Sequence, residues 1–234
     1  MRQKIASIAH NLRLPSICTL CNQCHKGSLA VCAFCIALMD PLGPSCQHCA
    51  YPLPDTQHPI CGSCIKNPLQ FDRTFIPYRY EEPLRGLLHQ FKYHKALYLA
   101  SLLSHLMLQA YPSMNPEKPQ CLIPVPMHPK KLRQRGFNQS VLLAQLLAKK
   151  LHIPYDYTSC RKLINTPPQA SLDKTPRQNN VRGAFHATPM PYTHVILIDD
   201  LLTTGSTANE LAGTLKKTGI KQVDVWCCAR AVYA

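Results

Sequence analysis

The chain is poor in acidic side chains and in long apolar runs. Only 12 of its 234 residues are Asp or Glu, against 26 Lys and Arg. The longest apolar run, Leu29 to Met39, falls far short of the roughly 20 residues of a membrane-spanning helix and carries two cysteines, so no bilayer span is expected. Near the amino terminus His10, Asn11 and Arg13 interrupt any hydrophobic stretch, and no small-residue cleavage site follows. A secretory signal is therefore not expected, and the expected location is the cytoplasm. With 46% hydrophobic residues the chain has enough apolar content for a real core, which excludes wholesale disorder and allows one ordinary domain or two small ones.

The net charge of +14 is unevenly spread: residues 71–191 carry 17 basic and 6 acidic side chains, whereas residues 192–234 carry four of each. A basic middle segment attracts phosphates, on nucleic acid or on a small ligand, or serves simply as a solubilising surface.

Nine of the 13 cysteines fall between Cys18 and Cys64. They include four C-x-x-C pairs, Cys18/Cys21, Cys32/Cys35, Cys46/Cys49 and Cys61/Cys64, whose first members are 14, 14 and 15 residues apart. Two thiolates on one tight turn can face one metal, and two such pairs complete the four-sulfur shell that Zn²⁺ favours. A disulfide framework needs an oxidising compartment, and a thioredoxin-like site needs one pair rather than four. The cluster is therefore read as a double zinc ribbon over residues 15–68, holding two structural zinc ions. Spacing leaves open whether successive pairs share a metal or interleave; sequential sharing is the expectation. Cys24, His25 and His48 lie nearby, with Cys24 read as an unliganded thiol.

Residues 69–234 read as an α/β domain. Leu84, Leu87, Leu88 and Phe91 recur at the spacing of one helical face, with Arg85, Lys92 and Lys95 assigned to the opposite face. A more apolar helix is expected over Leu97 to Ala110, a buried strand over Cys121 to Val125 and a helix over Asn138 to Leu151. The strongest motif follows: four apolar residues, Val195 to Ile198, then Asp199-Asp200, then Thr203-Thr204-Gly205-Ser206-Thr207. An apolar run of this kind suits a buried parallel strand, and ligands of open α/β sheets sit where such strands end. The hydroxylated loop opens a helix whose free N–H groups and dipole suit a phosphate, while the carboxylates suit vicinal sugar hydroxyls or Mg²⁺. Chemically this is a cradle for a phosphorylated ribose.

This stretch resembles the phosphoribosyl-pyrophosphate (PRPP) motif of type I phosphoribosyltransferases. The resemblance implies that Asp199 and Asp200 hold the ribose hydroxyls and Thr203, Thr204, Gly205, Ser206 and Thr207 the 5′-phosphate, with Mg²⁺ accompanying PRPP. A second motif, Pro124 to Gln139, is read as a loop after the first strand and places Lys130, Lys131, Arg133 and Arg135 beside Gly136 and Asn138. In that family the corresponding loop meets the pyrophosphate; here it is a candidate for phosphate or DNA contact.

Together the cysteine ribbon, the P-V-P-x-H-P…R-G-F-N-Q segment and the acid-pair loop resemble the ComF (ComFC) family of competence proteins. The likeness extends through Thr166-Pro167-Pro168-Gln169, Leu172, Arg177, Asn180, Gly183 and Phe185. It implies a type I phosphoribosyltransferase-like parallel sheet flanked by helices, a small N-terminal zinc-ribbon module, and a role in natural transformation, where incoming single-stranded DNA is handled in the cytoplasm. Arg161 to Phe185, polar and carrying Arg161, Lys162, Lys174, Arg177 and Arg182, reads as a flap over the ligand site or as a connector. Thr203 stands where purine-salvage members of the transferase family carry an acid, so the catalytic residues are left unassigned. Three functions stay open: a PRPP-binding protein that binds single-stranded DNA, an active phosphoribosyltransferase on an unknown acceptor, and a zinc-ribbon adaptor for the competence helicase. Tyr78, Tyr80, Phe91, Tyr93 and Phe137 lie among the cations as candidates for base stacking.

Overall fold

A computed structural model of the chain describes residues 15–55, 57–114, 118–165 and 182–232. Its centre is a four-stranded sheet of β3 (Thr74–Phe75), β10 (Gln222–Trp226), β8 (His194–Ile198) and β5 (Cys121–Pro124), in that spatial order and all parallel. The central strand β8 is covered on both faces. Val195 and Leu197 join one core with Ile123 and Val225, while Ile196 and Ile198 join the other with Leu122 and Trp226. This alternation explains why β8 reads as a continuous apolar run: side chains of period two meet apolar neighbours on either side.

Helices cover both faces. On one side lie α3 (Leu84–Tyr93), α4 (Leu99–Met114) and α6 (Gln139–Leu151), with Trp226 fully buried against Tyr111 at 4.7 Å and donating its indole N–H to the Met107 carbonyl. On the other lies α7 (Ser206–Lys217), which buries Ala208, Leu211, Ala212 and Leu215. The expected α/β architecture, a parallel sheet flanked by helices with a cysteine module at its amino-terminal side, is the one observed. No helix among the described residues is long and apolar enough to cross a membrane.

Three strands break at the same level. β3 resumes as β4 (Tyr78–Arg79), β8 as β9 (Leu201–Leu202) and β10 as β11 (Ala229–Arg230), and these continuations again pair in parallel. Phe75, Ile198 and Trp226 are in register before the break, and Tyr78, Leu201 and Ala229 after it. The intervening pairs are Ile76-Pro77, Asp199-Asp200 and Cys227-Cys228. The acid pair therefore occupies the interruption of the central strand.

The cysteine module contributes β1 (Ser16–Ile17), β2 (Cys24–His25), and two five-residue helices, α1 (Ala33–Ala37) and α2 (Gly62–Lys66). Val31 and Met39 join the core on one side of the sheet, Leu42 and Ala50 the core on the other. Backbone bonds tie the module to the edge of the sheet: Leu42 N–H donates to the Pro77 carbonyl, Arg79 N–H to Asp40 and Thr74 N–H to Gln47, each at 2.9 Å.

Two sequence expectations differ from this fold. The segment after β5 is not a loop throughout: Pro129–Arg135 forms α5, capped by the His128 side chain accepting from the Lys130 N–H and closed by Gly136 at φ 86°. Proline at the first helical position and glycine in the left-handed region are strong start and stop signals, and they bracket this short helix. The second difference is Lys92. It stands four residues after Leu88 and eight after Leu84, at the border of the buried stripe rather than opposite it, and its side chain is only 19% exposed. Of the described flap residues, Cys160–Lys162 (β6) pairs antiparallel with Phe185–Ala187 (β7). Thr166, Pro167, Pro168, Gln169, Leu172, Lys174, Arg177 and Asn180 lie outside the described residues.

Candidate functional site

A cavity of about 660 Å³ opens at the carboxyl end of β8. Asp199 and Asp200 form its floor; Thr203, Gly205 and Thr207 line one wall, and Lys131, Gln134 and Arg135 from α5 line another. Lys92, Tyr93 and Lys95 from the end of α3, together with Tyr80, complete it. The acid-pair motif and the cationic motif, separated by 59 residues between Ser140 and Asp199, are thus brought to one site.

The floor is held from several directions. Asp199 Oδ1 accepts from Ser140 Oγ and from the Asp200 N–H, both at 2.9 Å. Asp200, 2% exposed, pairs through Oδ2 with Lys92 Nζ at 2.7 Å. Burial disfavours the charge on Asp199, and neighbouring Asp200 adds like-charge repulsion. Against these, Lys92 and Ser140 pull the other way, and the net result raises its pKa to about 7. Burial likewise opposes the charge on Lys92, but the two aspartates outweigh it and hold its pKa above the usual lysine range. Cys227, in the broken neighbouring strand, is pushed well above the ordinary thiol range by burial and by both carboxylates, so it stays an unreactive thiol.

Asp199 makes stability depend on pH with a definite sign. Its pKa rises from 3.8 to about 7 on folding, so between these values the native chain holds a proton that the unfolded chain has released. Stability contributed by the protonated group is present below about pH 4 and is lost as pH rises through about 7. Asp199→Asn should therefore leave the melting temperature unchanged at pH 4 and raise it above pH 7, by about 2–4 °C for each kcal/mol gained in a chain of this size. An equal shift at both pH values in thermal melts would contradict this.

The loop wall is built for an anion. Gly205 caps α7 at φ 79°, a left-handed conformation that glycine adopts without strain, and Thr204 Oγ1 lies 2.9 Å from Ser206 Oγ. The amino-terminal turn of α7 then presents N–H groups next to the carboxylates. On the opposite wall, burial and neighbouring Arg135 lower the pKa of Lys131, and burial and Lys131 lower that of Lys162 on β6. Arg135 donates to Gln139 Oε1 at 2.8 Å and its guanidinium lies 5.2 Å from the Tyr93 ring centre. Mutual repulsion among cations in a partly desolvated wall is relieved by a bound anion.

The expected contact residues divide by position. Lys131 and Arg135 line the cavity, whereas Lys130 and Arg133 are exposed outside its lining. Asn138 caps α6, accepting from the Ser140 N–H at 3.0 Å and donating to the Val125 carbonyl at 3.1 Å. Of the aromatic candidates, Tyr80 and Tyr93 reach the cavity, while Tyr78 and Phe91 are buried in the core. Sequence reading missed Lys92 and Ser140. The spacing of Lys92 from Leu84 and Leu88 is a usable signal for the former, whereas nothing local marks Ser140.

The cysteines assemble sequentially. Cys18, Cys21, Cys32 and Cys35 form one group and Cys46, Cys49, Cys61 and Cys64 a second, with the sulfur atoms of each within 4.8 Å of one another. A tetrahedral Zn–S shell of about 2.3 Å bonds has sulfur–sulfur edges of about 3.8 Å. The Cys21–Cys32 and Cys49–Cys61 separations of 3.9 and 3.6 Å fit it. Backbone N–H groups of Cys32 and Cys61 point at the sulfurs of Cys18 and Cys46, at 3.4 and 3.3 Å, which favours thiolates there. Cys24, His25 and His48 belong to neither group.

No family model matches the chain. Among curated proteins, DNA utilization protein YhgH of Escherichia coli K12 is 32% identical over 227 residues, which cover 94% of this chain and all of that protein. Competence protein F of Haemophilus influenzae is 34% identical over 197 residues, covering 80% and 85%. Competence protein ComFC of Bacillus subtilis is 26% identical over 206 residues, covering 81% and 79%. Solved structures overlap only in part. Glutamine PRPP amidotransferase from B. subtilis matches 54% of this chain and 25% of that one at 20% identity and TM-score 0.34. Purine phosphoribosyltransferase from Pyrococcus horikoshii matches 55% and 72% at 17% identity and TM-score 0.32. With relatives above 30% identity aligned over most or all of their length, the chain belongs to the ComF family of competence and DNA-utilization proteins.

Proposed function

We propose that this chain is a phosphoribosyltransferase-like protein of natural competence that binds PRPP with Mg²⁺ in the cavity beneath α5 and handles incoming single-stranded DNA in the cytoplasm. The observation that carries the reading is the acid pair in the interruption of the central strand, flanked by a hydroxylated helix-opening loop and faced by cations. In this reading Asp199 and Asp200 accept the ribose hydroxyls, and the Thr203–Thr207 loop takes the 5′-phosphate. Lys131 and Arg135 face the pyrophosphate. Mg²⁺ would arrive with the substrate and neutralise its phosphates; the two buried carboxylates are oxygen donors of the kind that ion prefers. The two four-cysteine groups hold structural zinc, since each offers four sulfur donors and no open position.

Half-ligands test the pocket. PRPP with Mg²⁺ at 100 times its Kd should stabilise the protein by about 2.7 kcal/mol, a rise in melting temperature of about 5–10 °C. Ribose 5-phosphate and pyrophosphate should each produce a smaller rise, and ribose without phosphate none. Equal effects of ribose and ribose 5-phosphate would remove the loop from the account.

The division of cations separates sugar-phosphate from DNA contacts. Lys131→Ala/Arg135→Ala should weaken PRPP, whereas Lys130→Ala/Arg133→Ala should weaken single-stranded DNA. The latter should also flatten the log–log salt dependence by about 1.4, the effect of two lost phosphate contacts. Fluorescence anisotropy at several salt concentrations reads this, and unchanged DNA affinity in Lys130→Ala/Arg133→Ala would exclude that face.

A further inference from the structure

One buried side chain joins the second four-cysteine group to the wall of the cavity. Arg230, on β11 and 8% exposed, donates Nε–H to the Cys49 carbonyl at 2.9 Å. Its Nη1 donates to the carbonyls of Leu202 (3.2 Å), Thr203 and Ala231. Cys49 is a sulfur donor of the second group, and Thr203 opens the hydroxylated loop and lines the cavity. A second tie fixes the same cysteine turn to the sheet: the Gln47 carbonyl accepts from both the N–H and the hydroxyl of Thr74, at 2.9 and 3.3 Å.

The chemistry of the fork makes this more than packing. A guanidinium is planar and rigid, so one that satisfies carbonyls on both sides fixes their separation, which a single ammonium cannot do. Withdrawing either side leaves a buried donor without its acceptor, a cost the other side feels. We infer that Arg230 is a positioning residue that couples the second four-cysteine site to the Thr203–Thr207 loop. Metal held by Cys46, Cys49, Cys61 and Cys64 sets the geometry of the loop for a phosphate, and a phosphate in the loop tightens that metal site in return, as linkage requires. The coupling rests on the zinc and phosphate readings above, and it supplies a physical reason for the two modules to share a chain.

Peptide-mapped thiol alkylation of the zinc-loaded full chain, under a chelator, follows the two groups separately. Arg230→Met and Arg230→Lys should each speed alkylation of Cys46, Cys49, Cys61 and Cys64 by about tenfold, leaving Cys18, Cys21, Cys32 and Cys35 within about twofold. Amide exchange over residues 201–207 should rise in the same variants. In the wild type, PRPP with Mg²⁺ should slow alkylation of the second group alone. Equal acceleration of both groups would mean general destabilisation and overturn the coupling. So would wild-type behaviour of Arg230→Lys, which keeps the charge without the fork, or slowing of both groups by a ligand that binds. Failure of PRPP to bind at all would instead count against the pocket assignment, and the ligand-free alkylation and exchange would still decide the coupling.

Discussion

Removing zinc should unfold the cysteine module while the parallel sheet keeps its helices. Among the described residues the module has little else to hold it: one pair of two-residue strands and two helices of five residues, far below the length at which a helix is stable alone. Its apolar contribution, Val31, Met39, Leu42 and Ala50, is buried against the sheet domain rather than within the module. Structural zinc supplies about 10–16 kcal/mol per site, comparable to the whole stability of an ordinary domain. Without metal the thiols are mismatched: burial pushes Cys35 up to about 12 and Cys49 to about 11, whereas at Cys18 backbone N–H groups overcome burial and bring the pKa down to about 6. Chelation should release two zinc ions per chain, expose eight reactive thiols and uncover the apolar edge at Leu42 and Met39, with turbidity as the visible consequence. Zinc should restore the starting melt. An identical thermal melt before and after verified metal removal would contradict a structural role.

The second large effect concerns Lys92. Lys92→Met keeps the apolar stem but leaves the Asp200 carboxylate, 2% exposed, without the ammonium 2.7 Å away. Breaking one side of a buried ion pair costs about 3–5 kcal/mol, because the remaining charge is stranded in a poor solvent. For a chain of this size that is a fall in melting temperature on the order of 10 °C. Lys92→Met/Asp200→Asn should recover most of this stability, since a neutral pair is no longer stranded, yet should not recover PRPP binding. A double-mutant cycle on the melts isolates the pair. Additive losses from the two single substitutions would show that the contact contributes nothing to the fold.

Much of this was readable from the residues themselves, and what was not has a common cause. Val195 to Ile198 announces a strand covered on both faces, and the 14-residue spacing of the cysteine pairs announces repeated metal knuckles. Both signals are local. The cationic segment after β5 is read as a loop because its charges show no apolar face, yet Pro129 and Gly136 are sufficient to start and stop a short helix. Lys92 is assigned to solvent because a charged side chain beside an apolar stripe normally belongs there; its reason for being largely buried is Asp200, 108 residues away. Ser140 and Arg230 are further cases: a serine in the first turn of a helix and an arginine at the end of a strand carry no mark of the carboxylate or the carbonyls they meet. The simultaneous break of three strands is equally invisible, since only their register shows that the acid pair and Cys227-Cys228 lie at one level. Elements follow from periodicity, but convergence at a site follows from topology.

The central claim, that the acid pair and its loop form a phosphoribosyl pocket, is tested most directly by calorimetric titration of the zinc-loaded protein with PRPP and Mg²⁺, beside Asp199→Ala/Asp200→Ala. The account predicts saturable binding at one site in the wild type and none in the folded double variant. Absence of binding by a folded wild-type protein, or undiminished binding by the double variant, would contradict it.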